Sequence, residues 1–174
     1  MKTLAQHINI VETMPPYNLT ELQALVIDWG KEKGIIFPQN VQKQNAYILC
    51  EYAEMKLAYL VKDYVELVTE IGDVFVTMII TAACKGETPF NKIAYDYEKE
   101  NQSFEYYTYK FESSFGSAKL EYLAALIQHF AYDCGFTPEQ CLFAAYQKIK
   151  NRTGKTVDGV FVKDKPNDIL DGIN

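Results

Sequence analysis

The sequence predicts an all-α protein: an antiparallel helical bundle with an irregular, aromatic-rich insertion, ending in a short C-terminal hairpin or tail. Three observations lead there. Apolar residues recur at helical spacing, most plainly at Leu67, Ile71, Val74, Met78 and Ala82. Capping residues and glycines bracket the periodic stretches. The composition, 48% hydrophobic and 23% charged, is that of an ordinary globular chain rather than a disordered or fibrous one.

Taken in order, "TELQALVIDWGKEKG" opens with Thr20 and Gln23 at capping-box spacing and stops at Gly34, which predicts a first helix over residues 20–33. After the break at Pro38, a second helix is expected from about residue 39 to 61. A third follows from 63 to 85, with Gly86 as its stop. Residues 87–117 hold no clean period and interleave acids with Tyr95, Tyr97, Tyr106, Tyr107 and Tyr109; they are expected to form the insertion, with a short helix near residues 104–112. So many aromatic rings are costly to leave in water, and the plain expectation is that they pack on the bundle or on a second subunit. Stacking of one of them on a nucleotide is the less common alternative. A further helix is predicted over about 118–134, ended by Gly135. The last spans 138–152, where Thr137, Pro138 and Gln140 supply the cap, the first helical position and the capping-box return. Asp158-Gly159 between apolar residues is a hairpin signal, and the tail after Pro166 is expected to be loose.

By length the 174 residues make one domain with a real core, read as residues 1–165 followed by a tail at 166–174. The four cysteines, Cys50, Cys84, Cys134 and Cys141, form no CxxC pair, so neither a disulfide framework nor a zinc ribbon is indicated; all four read as small buried apolar residues. A net charge of −6 speaks against binding a nucleic acid polymer through its phosphates, though not against a small anion brought in with metal ions. No stretch approaches the roughly 18 uninterrupted apolar residues of a membrane span, and the first residues hold no signal-peptide core. The expected compartment is the cytoplasm, without a membrane partner.

The acids carry the chemistry. Glu51 and Glu54 lie three apart on the second helix, and Glu70 and Asp73 three apart on the third, so each pair shares a helical face. Glu51 and Asp73 are each 11 residues from Lys62, and Glu54 and Glu70 each 8 from it. In an antiparallel hairpin, equal distances from the turn mean equal heights. At about 1.5 Å of rise per residue, both pairs lie roughly 12 to 17 Å from the turn, where facing sides would bring four carboxylates together. Such a cluster repels itself, and each unit of pKa forced upward costs about 1.4 kcal/mol. A hard divalent cation makes the same geometry favourable, and oxygen-only ligands favour Mg²⁺ or Mn²⁺ over zinc or copper. For either pair alone, the solvated face of an amphipathic helix is the commoner explanation; the matched heights and bulky apolar neighbours weigh against it. A ferritin-like di-iron site would need Glu-x-x-His, and His7 and His129 stand on neither helix.

"EYAE", a 15-residue gap and "EIGD" resemble the E-x-x-E and E-x-x-D signature of the all-α nucleoside triphosphate pyrophosphohydrolases, the MazG-like family that includes dimeric dUTPases and dCTP pyrophosphatases. Trp29 before a glycine-ended helix and "AYQKIKNRTGKTVDGVFVK" at 145–163 are similar to small MazG-like proteins of bacteria and their phages. The resemblance covers most of the chain outside residues 87–117. It departs where the family often has two adjacent glutamates and this chain has Cys50-Glu51. What it implies is an enzyme in the cytoplasm, that of the host if phage-encoded, assembled as a homodimer or homotetramer. Glu51, Glu54, Glu70 and Asp73 would hold Mg²⁺, and a metal-activated water would attack the α-phosphorus of a nucleoside triphosphate to give the monophosphate and pyrophosphate. Glu51 and Glu54 both remain open as acceptor of the water's proton. The alternative from another class is a non-catalytic helical protein that binds a metal or nucleotide, or serves in assembly.

Four carboxylates and their metals leave the far end of a triphosphate unheld. Lys148 and Arg152 stand four apart near the end of the last helix, with Lys155 just beyond, and are well suited to grip phosphate oxygens. Cations in a last helical turn are also expected from the helix dipole alone.

Overall fold

In the computed structural model, residues 17–87 and 102–164 are described. They form six α-helices, a 3₁₀ turn and one two-stranded hairpin: α1 (Leu19–Glu32), the turn Pro38–Asn40, α2 (Val41–Leu60), α3 (Tyr64–Lys85), α4 (Phe104–Ser114), α5 (Leu120–Asp133), α6 (Pro138–Ile149), β1 (Gly154–Val157) and β2 (Val160–Lys163). The all-α expectation with a short C-terminal hairpin holds. The tail from 166 and the tyrosines at 95 and 97 lie outside the described residues.

α3 is the centre of the bundle and packs against α1, α2, α5 and α6. Its apolar residues are buried on more than one face, with Leu67, Ile71, Val74 and Met78 all at 0% exposure and Val68, Ile79 and Ile80 beside them. α3 is also long and apolar enough to cross a membrane, but 89% of its apolar window is covered by the rest of the protein. That is the pattern of a core helix.

Helix ends follow local chemistry. α1 begins at Leu19, one residue before the predicted start, and its cap lies two residues before Thr20. Asn18 is the cap, accepting from the Glu21 N–H at 3.0 Å, while the Asn18 N–H donates back to Glu21 Oε2 at 2.8 Å. Gln23 cannot serve as the return arm because it is drawn into the core at 1% exposure. Gly34, Gly86 and Gly135 each follow a helix end at positive φ, as expected. At the α2–α3 turn the same left-handed position is taken by Lys62, with φ 62°. There the Asp63 N–H bonds the Ala58 carbonyl at 2.9 Å, and the Asp63 side chain then caps α3 by accepting from the Glu66 N–H. The turn is therefore as short as the equal-height argument requires. α6 carries the predicted Thr137–Gln140 box but ends at Ile149 rather than 152, leaving Arg152 in the connection to β1.

The insertion holds a definite helix. α4 lays its aromatic rings on α2, where Tyr52 stacks on Phe111 at 4.0 Å between centroids and Tyr59 on Phe104 at 4.1 Å. Phe130 of α5 closes the cluster edge-on to Tyr59 and Tyr107. The described aromatics of this region thus pack mainly on the bundle, although Tyr109 stays 68% exposed. Of the cysteines, Cys84, Cys134 and Cys141 are buried as expected, whereas Cys50 is exposed. It sits on the solvent side of α2, between the buried positions Ile48 and Tyr52.

Candidate metal centre

Gly72 sets the spacing of the site. A Cβ there would overlap the Cys141 carbonyl oxygen and lie 2.8 Å from the Ala145 Cβ, so α3 and α6 cross in backbone contact at this point. Cys141, Ala145 and Lys148 are four and three residues apart and run along one side of α6. With Cys141 and Ala145 seated on Gly72, Lys148 is carried to the acids that flank this glycine.

Glu51 of α2 meets Glu70 and Asp73 of α3, with one carboxylate oxygen from each lying within 4.8 Å of the others. Ligands on opposite sides of a Mg²⁺ ion, at about 2.1 Å each, are about 4 Å apart, so the three oxygens stand close to coordinating distance. Glu70 is 3% exposed and Asp73 7%. Glu54 is exposed and stands outside the triad, yet its charge pushes up the pKa of all three members. Three of the four acids expected to hold the metal converge across the hairpin, and the expectation is corrected for Glu54, which stands exposed on the rim outside the set.

Lys148 Nζ lies 2.8 Å from Asp73 Oδ2, 3.4 Å from Glu70 Oε1 and 3.8 Å from Glu66 Oε1. Its expected partner was a phosphate; here it is an ion-pair partner of the acids themselves. Arg152 approaches from the connection after α6, and together with Lys148 it favours the charged forms of Glu51 and Asp73. Lys155 does not join them. The register pairs Thr156 with Phe161 and Lys155 with Val162. Thr156 donates to the Lys33 carbonyl and Phe161 faces Trp29, so this pair points inward and the neighbouring pair outward. The phosphate-grip expectation for Lys155 is corrected accordingly. Glu66 was missed, although its spacing of four from Glu70 puts it on the same face.

The two cations do not outweigh burial. Burial is the first cause that lifts Glu70 from 4.5 to about 8, followed by the Glu66 carboxyl one turn away. Burial likewise lifts Glu51 from 4.5 to about 7, ahead of the charges of Asp73 and Glu54. Asp73 is raised for the same first reason despite its bond to Lys148. For Lys148, burial works against the charge, but the Asp73 hydrogen bond and the three surrounding carboxylates prevail and raise its pKa. Most telling is Glu70 Oε2, which is buried with no partner at hydrogen-bond distance among the described residues, although the Glu70 carboxyl lies against that of Glu66 and shares a proton with it when neutral.

A pH dependence follows. The folded-state pKa values of Glu51 and Glu70 lie above their unfolded values, so their contribution to stability is fully present below about pH 4.5 and is lost as pH rises through about 7 and 8. In chelator, the melting temperature should fall between pH 5 and 9. Glu70→Gln, which keeps a neutral side chain, should flatten that fall. Thermal denaturation across this range checks both, and an unchanged slope in the variant would remove Glu70 from the explanation.

Comparison of the chain with protein-family models, with curated proteins and with solved structures finds no match.

Proposed function

We propose that the protein is a Mg²⁺-dependent nucleotide pyrophosphohydrolase, cleaving (deoxy)nucleoside triphosphates to the monophosphate and pyrophosphate, with Mn²⁺ able to replace Mg²⁺. The observation that carries the proposal is the meeting of Glu51, Glu70 and Asp73 across the α2–α3 hairpin with the buried Glu70 Oε2 left unpartnered among the described residues. A buried carboxylate oxygen without a partner is costly, and an all-oxygen donor set suits a hard divalent cation. Bound there, Mg²⁺ would offset charge developing on the phosphoryl oxygens and lower the pKa of a nearby water.

The remaining roles fall to the chain. Glu54, exposed at the rim and outside the triad, keeps its oxygens free to take the proton from the attacking water. The water oxygen bonds to the α-phosphorus, the bond from that phosphorus to the bridging oxygen breaks, and pyrophosphate leaves with the electron pair. Lys148 and Arg152 stand at the edge of the acids, where a triphosphate's oxygens would arrive, and hold them by charge. The family resemblance in "EYAE" and "EIGD" supports the same reading.

The second reading is a non-catalytic metal- or nucleotide-binding protein, and the ion pairs of Lys148 favour it, since they partly neutralise the acids with no metal bound. Measuring pyrophosphate released from a panel of nucleoside triphosphates, with and without Mg²⁺, separates the two. The enzyme reading expects release with Mg²⁺ and none in chelator; no release from any nucleotide would leave only the second reading. We also propose a homodimer or homotetramer, supported by Leu57, Leu60, Val61 and Val65, each at least 60% exposed around the α2–α3 turn.

A further inference from the structure

The ammonium of Lys148 stands between two kinds of carboxylate. On its inner side are Asp73 Oδ2 at 2.8 Å and Glu70 Oε1 at 3.4 Å, on side chains only 9% and 4% exposed. On its outer side is Glu66 Oε1 at 3.8 Å, on a side chain 54% exposed. The inner two belong to the set that meets Glu51. Buried carboxylates need a paired charge or a metal ion, and Lys148 supplies the paired charge.

A second cation in that set would compete with it. An ion coordinated by Asp73 Oδ2 at about 2.1 Å would lie no more than about 5 Å from Lys148 Nζ, since that oxygen is 2.8 Å from the nitrogen. Like charges so close repel strongly in a partly buried site, and a divalent ion carries the larger charge and the shorter oxygen contacts. Lysine can give way. Its charge is a compact point on a flexible four-carbon stem, and the Lys148 side chain is 38% exposed, which leaves it a path outward. The backbone beneath it has no such freedom, because α6 is seated on Gly72 of α3 through Cys141 and Ala145. The movement therefore belongs to the side chain alone, and Glu66 is the carboxylate that it meets on the way.

We infer that Lys148 is a two-position lysine: paired inward with Asp73 and Glu70 it occupies the acids as an internal cation, and a divalent ion entering the set turns it outward to Glu66. The inference rests on the metal reading above and adds a regulation of that site. The ion and Lys148 compete for the same carboxylates, so the lysine becomes available to phosphate oxygens only after the ion has bound. Glu66 is a positioning residue, because it keeps the released ammonium beside the acids.

Two measurements on the full chain test this without any nucleotide. In the first, chelator-treated protein meets an amine-acylating reagent with and without saturating Mn²⁺, and each lysine is read by mass spectrometry. Lys148 should become severalfold more reactive in Mn²⁺, while Lys43 and Lys56, tied to the Asp158 carbonyl and to Glu112, should not change. In the second, calorimetric titration with Mn²⁺ compares the wild type with Lys148→Met, which keeps the apolar stem. The variant should bind about tenfold or more tighter, the worth of a hydrogen bond to a charged group that no longer has to be broken. Arg152→Met, which removes a charge from the wall beside Glu51 and Asp73, should change the affinity less. The labelling needs no variant, so it decides the matter even if Lys148→Met does not fold. Mn²⁺ binding with unchanged Lys148 reactivity, or with Lys148→Met no tighter than the wild type, would overturn the inference and leave the metal reading standing. Saturable binding by neither protein would overturn both. Mn²⁺-dependent exposure of Lys148 without pyrophosphate release from any nucleotide would uphold the two positions and refute the hydrolase.

Discussion

Asp73→Asn should remove nearly all Mg²⁺-dependent pyrophosphate release while leaving the protein folded. The change keeps the shape of the side chain and removes the charge that both a divalent cation and Lys148 use. Charge stabilisation by a bound metal is worth several kcal/mol at the transition state, and each 1.36 kcal/mol is a factor of ten, so the loss should be about a hundredfold or more. Glu70→Gln should behave alike, because it removes a buried charge from the same set of oxygens. Glu70→Gln should be no less stable than the wild type in chelator, since it relieves repulsion among buried carboxylates, whereas Asp73→Asn also gives up the hydrogen-bonded ion pair with Lys148. Steady-state rates with the two variants check this. Near wild-type turnover in both would mean that the triad does not hold the catalytic metal.

Gly72→Ala should be among the most destabilising single substitutions in the bundle, although alanine is the better helix former by about 1 kcal/mol. The added methyl collides with the Cys141 backbone carbonyl, which belongs to α6 and cannot rotate away. Overpacking of this kind costs about 1–3 kcal/mol, and at this chain length each kcal/mol moves the midpoint by roughly 2–4 °C. Gly30→Ala is the comparison: the atoms nearest its Cβ would belong to the Ile80 and Ile36 side chains rather than to backbone, and side chains can shift. Thermal melts should therefore rank Gly72→Ala well below Gly30→Ala. Equal midpoints would mean that α6 slides freely on α3.

Much of this was legible in the sequence, and the reasons differ by feature. The heights of Glu51, Glu54, Glu70 and Asp73 were readable because a helix converts residue count into length and the Lys62 turn is tight. The α6 start and the Asp158-Gly159 turn were readable because their chemistry is local. At α1 two overlapping boxes competed, and the deciding fact was the burial of Gln23, which only the tertiary structure supplies. α4 escaped a clear period because only Tyr107 and Phe111 of its residues are buried. The position of Lys148 depends on the α3–α6 crossing at Gly72, which joins residues about 70 apart in sequence. No spacing rule reports contacts of that kind.

Whether Glu51, Glu70 and Asp73 hold a divalent ion decides the proposed function. Calorimetric titration of the chelator-treated protein with Mn²⁺ near pH 7.5 measures that directly, without any substrate. The predicted result is saturable binding by the wild type that is lost in Asp73→Asn, together with a higher melting temperature of the metal-loaded wild type, because a ligand bound only by the folded state stabilises it. Heats without saturation, or equal binding by Asp73→Asn, would contradict the account and leave these acids with Lys148 as a self-neutralised part of the core.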